Sequence, residues 1–127
     1  MSHKVLVADD ESHIVHVLSM KLQNAGMEVL TAMDGEEARD LCLAEKPDLL
    51  ITDFQMPLMS GLELCRELRK HEETKHIPAI MLTARGFALE PEEMEQAGIR
   101  EVMAKPFSPR EILEKVHQLL AETHVTE

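Results

Sequence analysis

The chain is 127 residues long and 44% hydrophobic, with 24 acidic against 13 basic residues and a formal net charge of −11. That length and apolar content fit one domain built on one core. The acidic balance and the lack of any basic run exclude direct nucleic-acid binding, and no apolar run approaches the roughly 20 residues that span a bilayer, so the expectation is a soluble cytoplasmic protein without a membrane partner.

In chain order, short apolar runs predict five strands, at Lys4 to Ala8, Met27 to Ala32, Asp48 to Thr52, Pro78 to Thr83 and Arg100 to Ala104. Most are rich in Val, Ile, Leu or Met and none is patterned for a wet face. Amphipathic segments separate them. Ile14, Leu18, Leu22 and Ala25 share one face of a first helix that Gly26 would stop. Asp34-Gly35-Glu36-Glu37 opens a second. Ser60-Gly61-Leu62-Glu63 has the capping-box pattern for a third, with Met59 and Leu64 spaced as a hydrophobic staple. Pro91 suits the first turn of a short fourth helix ended by Gly98. Ser108-Pro109-Arg110-Glu111 is a second capping box, stapled by Phe107 and Ile112, and opens a fifth helix. That helix has Ile112, Val116, Leu119 and Leu120 inward and an expected end near Glu122.

Strict alternation of apolar strands and amphipathic helices predicts an α/β fold: a five-stranded parallel sheet covered by helices on both faces. In such open sheets chemistry collects beyond the carboxyl ends of the strands. The residues there are Asp9 and Asp10 after the first strand, Asp53 after the third, Thr83 after the fourth and Lys105 after the fifth. If the strand order is 2-1-3-4-5, three carboxylates lie beside a hydroxyl and an ammonium. Carboxylates so close raise one another's pKa unless a cation intervenes. Mg²⁺, or Mn²⁺, takes such oxygen ligands and leaves coordination open for a phosphoryl oxygen. Lys105 could then face a second phosphoryl oxygen and Thr83 a third, while Asp53, ionised at neutral pH, could attack phosphorus directly.

Each residue alone has a plainer reading. An Asp pair before a helix suits the helix dipole, Asp53 suits a turn, Thr83 can simply end a strand, and Lys105 can be solvated. Five such residues at matched strand ends favour a site. Cys42 and Cys65 form no C-x-x-C motif and read as small buried hydrophobes. His13 and His16 lack partners for a zinc site and read as surface residues. Met56 and Met59 read as packing. The acidic run Glu90 to Gln96 reads as a solvated helix start, with docking as the less favoured alternative.

"VLVADDE" (5 to 11), "DLLITDFQMPLMSGLEL" (48 to 64), "IPAIMLTA" (77 to 84) and "VMAKPFSPREIL" (102 to 113) carry a resemblance over residues 4 to 121 to response-regulator receiver domains of two-component phosphorelays. The resemblance implies a flavodoxin-like (βα)5 sandwich. It also implies that Asp53 accepts a phosphoryl group from the phosphohistidine of a histidine kinase or histidine phosphotransfer protein. It further implies Asp10 and Asp53 as carboxylate ligands of Mg²⁺, Asp9 acting through a water, and Gln55 lending its backbone carbonyl. Thr83 would be the switch hydroxyl, Lys105 the phosphate-binding lysine, and Lys105-Pro106 a cis peptide. Gln55 and Arg85 lie where the family tunes hydrolysis of the acyl phosphate. Such a domain is a self-phosphorylating signalling module rather than an enzyme of independent turnover.

One position departs from the pattern. Where many members carry a Tyr or Phe that couples to the threonine, this chain has Val102; it has no Tyr or Trp, and its Phe residues are at 54, 87 and 107. A weaker change at the output face is expected, that face being the fourth helix, fifth strand and fifth helix, which could also pair two phosphorylated copies.

The alternatives are distinct. A flavin binder would need a Ser/Thr/Gly-rich phosphate loop where this chain has "DDES", and a dehalogenase-type phosphatase would need a second Asp where Gln55 stands. A degenerate receiver acting as a binding module would not need the Asp10, Asp53, Thr83 and Lys105 set. The expected organisation is a single receiver domain over 1–127, with core 4–121, a polar tail at 122–127 and no output domain. The output would be a downstream protein target or a domain missing from this chain.

Overall fold

The computed structural model describes residues 3–84 and 88–125, with side chains through 122. Arg85 and Phe87, singled out above, lie outside the described residues. Five strands alternate with five helices: β1 (Lys4–Ala8), α1 (Ser12–Asn24), β2 (Glu28–Ala32), α2 (Gly35–Glu45), β3 (Leu49–Asp53), α3 (Gly61–Arg69), β4 (Ala79–Thr83), α4 (Pro91–Ala97), β5 (Ile99–Ala104) and α5 (Pro109–Val125). The sheet is wholly parallel, in the order β2-β1-β3-β4-β5. This is the helix-covered parallel sheet that the alternation predicts, in the flavodoxin-like arrangement that the resemblance implies.

Alternation within the strands divides the core into two layers, because successive side chains point to opposite faces. Val5, Val7, Leu49, Ile51, Ile80 and Leu82 meet Leu18 and Leu22 of α1 and Ile112 and Val116 of α5. Leu6, Leu50, Ala79 and Met81 meet Cys42 of α2, Leu64, Cys65 and Leu68 of α3, and Ala97 of α4. Both cysteines are buried and free, and Met56 and Met59 pack against the second layer.

Side chains cap α2, α3 and α5, with the full capping box at α3 and, among the described residues, only the serine half of the expected one at α5. Ser60 Oγ accepts from the Glu63 N–H at 3.1 Å while the Glu63 carboxylate accepts from the Ser60 N–H at 2.8 Å, completing the capping box. Asp34 caps α2 through the Glu37 N–H at 2.8 Å. At α5 the Ser108 hydroxyl accepts from the Glu111 N–H at 3.4 Å.

Three details differ from the sequence reading. Ala25 is exposed rather than on the buried face, because α1 ends at Asn24 and the chain turns through Ala25 into Gly26 at φ +90°. β2 is an edge strand whose Glu28 and Thr31 are exposed, so the expectation of no wet face holds fully only for the inner strands. α5 runs past Glu122 to Val125, since no glycine or proline interrupts that stretch. Among the described residues, no helix is long and apolar enough to cross a membrane.

Candidate functional site

Strand register assembles the site. Ala8 lies opposite Thr52, so the next residues, Asp9 and Asp53, leave the sheet side by side. Asp53 lies opposite Leu82, which places Thr83 one step beyond it, and Thr83 lies opposite Ala104, which does the same for Lys105. Main-chain bonds fix these ends: the Phe54 N–H donates to the Leu82 carbonyl at 2.8 Å and the Lys105 N–H to the Thr83 carbonyl at 2.7 Å. The Lys105–Pro106 peptide is cis. Gly61 is required by close approach, because a Cβ there would collide with the Asp53 carbonyl oxygen.

The side chains converge as the strand ends do. One carboxylate oxygen from each of Asp9, Asp10 and Asp53 lies within 4.8 Å of the others. Asp9 is fully buried, Asp53 is 8% exposed and Asp10 faces solvent. The Lys105 ammonium stands 3.0 Å from Asp9 Oδ2 and 3.3 Å from Asp53 Oδ1. A cavity of about 570 Å³ opens over these groups, lined by Asp10, Glu11, Asp53, Gln55, Ala84 and Lys105 among others. Thr83 is buried beside it, and its Oγ1 finds no hydrogen-bond partner among the described residues.

Electrostatics follow from that crowding. Burial first, then the negative charge of Asp9, pushes the Asp53 carboxyl up to about 6, against the opposing pull of Lys105. Burial lowers the Lys105 pKa, but Asp9, Asp53 and Glu11 outweigh it and hold the ammonium above its ordinary range. The donor set is all hard oxygen with excess negative charge, and it fits Mg²⁺ or Mn²⁺ in preference to a softer metal.

The structure thus brings Asp9, Asp10, Asp53 and Lys105 together, with Thr83 at the adjacent strand end and Gln55 on the cavity rim. Val102, half-buried on β5 opposite Met81, packs against the second core layer with Leu89 and Met94. His13 and His16 are exposed, and neither belongs to a metal-competent group among the described residues. Of the acidic run, Glu93 pairs with Arg66 at 3.5 Å and with the Glu90 N–H at the start of α4. Glu11 carries no site signal of its own in the sequence, yet its carboxylate lies 3.2 Å from the Lys105 ammonium. Its only sequence signal is position, directly after the aspartate pair.

Comparison with known proteins agrees with this geometry. The response regulator receiver domain family matches residues 5–117. The alkaline phosphatase synthesis transcriptional regulatory protein PhoP of Bacillus subtilis (strain 168) is 38% identical over 125 residues, covering 98% of this chain and 51% of that protein. The probable transcriptional regulator ycf27 of Cyanophora paradoxa is 41% identical over 120 residues, covering 94% of this chain and 49% of that protein. The chain therefore spans about half the length of these relatives. The solved structure of the chemotaxis response regulator CheY4 of Vibrio cholerae superposes with a TM-score of 0.86 at 34% identity, over 94% of this chain and 99% of that one. With a family match across most of its length and the fold of those relatives, the chain belongs to the response regulator receiver domains.

Proposed function

We propose that this domain accepts a phosphoryl group on Asp53 from the phosphohistidine of a histidine kinase or histidine phosphotransfer protein. The observation that carries the reading is the 3.3 Å approach of Lys105 Nζ to Asp53 Oδ1 inside an acidic pocket otherwise formed by Asp9 and Asp10. Asp53 attacks phosphorus with one carboxylate oxygen, the bond to the donor histidine nitrogen breaks, and the product is an aspartyl phosphate. Lys105 offsets charge on one phosphoryl oxygen and the Thr83 hydroxyl, which has no partner of its own among the described residues, donates to another. Asp10, Asp53 and the Gln55 backbone carbonyl would hold Mg²⁺, with Asp9 acting through a water. Bound Mg²⁺ supplies charge neutralisation for the transferring group.

The domain is a signalling module without independent substrate turnover. Its output face is α4, β5 and α5, where two phosphorylated copies would pair, and Val102 in place of an aromatic side chain weakens the change transmitted there. The relatives named as transcriptional regulators favour an output on transcription, through a protein target or a further domain, rather than through nucleic-acid contact by this acidic chain. The test is intact mass after incubation with Mg²⁺ and acetyl phosphate, beside Asp53→Asn and a chelated control. One phosphoryl adduct, absent from both controls, is expected; no adduct on a folded chain would leave the pocket as a binding module without chemistry.

A further inference from the structure

Among the described residues, three carboxylates surround the Lys105 ammonium: Asp9 Oδ2 at 3.0 Å, Glu11 Oε2 at 3.2 Å and Asp53 Oδ1 at 3.3 Å. A lysine ammonium has three donor hydrogens. Of the three contacts, only that with Glu11 has hydrogen-bond geometry, and Asp9 Oδ2 has no hydrogen-bond partner among the described residues, so the carboxylate that directs the ammonium, and with which a phosphoryl oxygen would compete, is that of Glu11. Asp9 and Asp53 are buried members of the acidic cluster. Glu11 lies outside that cluster and its side chain is 51% exposed, which makes it the exchangeable partner.

Its place in the fold points the same way. Glu11 is the N-cap of α1, and α1 has no acidic residue in its first turn, yet the Glu11 side chain makes no capping hydrogen bond. A carboxylate at that position ordinarily serves the positive end of its own helix. This one reaches instead to a lysine 94 positions away in sequence, while the Glu11 N–H donates to Asp9 Oδ1 at 2.9 Å and ties the backbone to the same pocket.

We propose that Glu11 is a positioning residue that holds Lys105 in the unphosphorylated domain and yields it to the phosphoryl group. This rests on the reading of Asp53 as phosphoacceptor. When a phosphoryl group arrives, the ammonium hydrogen facing Glu11 turns to a phosphoryl oxygen, and the freed carboxylate swings toward the first turn of α1. Glu11 thus keeps Lys105 aimed before transfer and competes with the phosphoryl group afterwards.

The test uses beryllium fluoride, an unreactive mimic of the bound phosphoryl group, titrated by calorimetry at saturating Mg²⁺ into the wild type, Glu11→Gln, Lys105→Gln and the double variant. Glu11→Gln is expected to bind about fivefold tighter, the size of one exposed ion pair, and that gain is expected to vanish when Lys105 is already replaced. In the ¹³C spectrum of the wild type, the Glu11 carboxylate resonance is expected to move on binding, a signature that a merely structural glutamate would not give. Unchanged or weaker binding by Glu11→Gln overturns the proposal, as does an unmoved Glu11 resonance. A gain that persists without Lys105 also overturns it, by assigning the effect to through-space repulsion. A wild-type chain that takes up no beryllium fluoride in Mg²⁺ would overturn the phosphoacceptor reading itself, an outcome separate from wild-type binding that Glu11→Gln fails to improve.

Discussion

Replacing Asp53 by asparagine should stabilise the domain at neutral pH in the absence of divalent cations. The side chain is 11% exposed, beside the buried Asp9, and its pKa is raised from 3.8 to about 6 even with Lys105 at 3.3 Å. A gap of about two units corresponds to about 3 kcal/mol at 1.36 kcal/mol per unit, a ceiling that relaxation around the ionised group reduces. Because the folded-state pKa lies above the unfolded one, the folded chain retains a proton that the unfolded chain releases between about pH 4 and pH 6. The penalty is therefore complete above pH 6 and disappears as pH falls toward 4. Urea unfolding of the wild type and Asp53→Asn, each at several pH values from 4 to 8 in a chelating buffer, isolates this site, because carboxylates remote from it cancel in the difference. The variant should be more stable by up to about 3 kcal/mol at pH 7, with the two curves converging near pH 4. Mg²⁺ should close the gap from the other side by stabilising the wild type alone. An asparagine variant less stable than the wild type at pH 7 would refute the reasoning, since the ion pair with Lys105 would then outweigh burial and the like charge of Asp9.

Other perturbations read other parts of the same scaffold. Leu58 sits at φ +71° with 72% of its surface exposed, so Leu58→Gly should raise stability by about 1 kcal/mol in urea unfolding. Gly61→Ala forces a methyl group against the Asp53 carbonyl and should lose about 1–3 kcal/mol, while slowing acetyl phosphate labelling in the mass assay. Ser60→Ala removes one side of the α3 capping box and should lower stability by about 1 kcal/mol, with labelling at Asp53 retained. Cys42 and Cys65 are buried and their thiols are pushed up to about 12, so a thiol reagent at pH 7 should label neither in the native state and both in urea; prompt native labelling would show that the second core layer opens.

Most of the fold is legible in the chain because its signals are local. Ser60 and Glu63 need only each other and one turn of backbone to declare the start of α3, and Asp34 does the same for α2 with Glu37. Apolar runs of strand length locate β1 to β5 to within about one residue. Less legible is where a strand stands in the sheet, since burial at the edge depends on neighbours. Glu28 and Thr31 are wet on β2, which lies at the edge of the sheet. Ala25 continues the helical spacing of Ile14, Leu18 and Leu22, but spacing cannot see that the helix has already ended.

The site divides along the same line. Asp9, Asp53, Thr83 and Lys105 can be picked out because a parallel sheet converts four separate strand ends into one edge, and each is the polar residue that closes an apolar run. Glu11 closes no run; it opens a helix, and an acid there has an ordinary duty to that helix. Its engagement with Lys105 exists only once β1 and β5, at opposite ends of the chain, have been laid on either side of β3 and β4. The distinction is physical. A residue whose role is to lie at a strand end is specified by its own segment, whereas a residue whose role is to hold another side chain is specified by the packing of two segments. In this domain the two kinds meet at one ammonium, because Glu11 holds the same Lys105 that reaches Asp53.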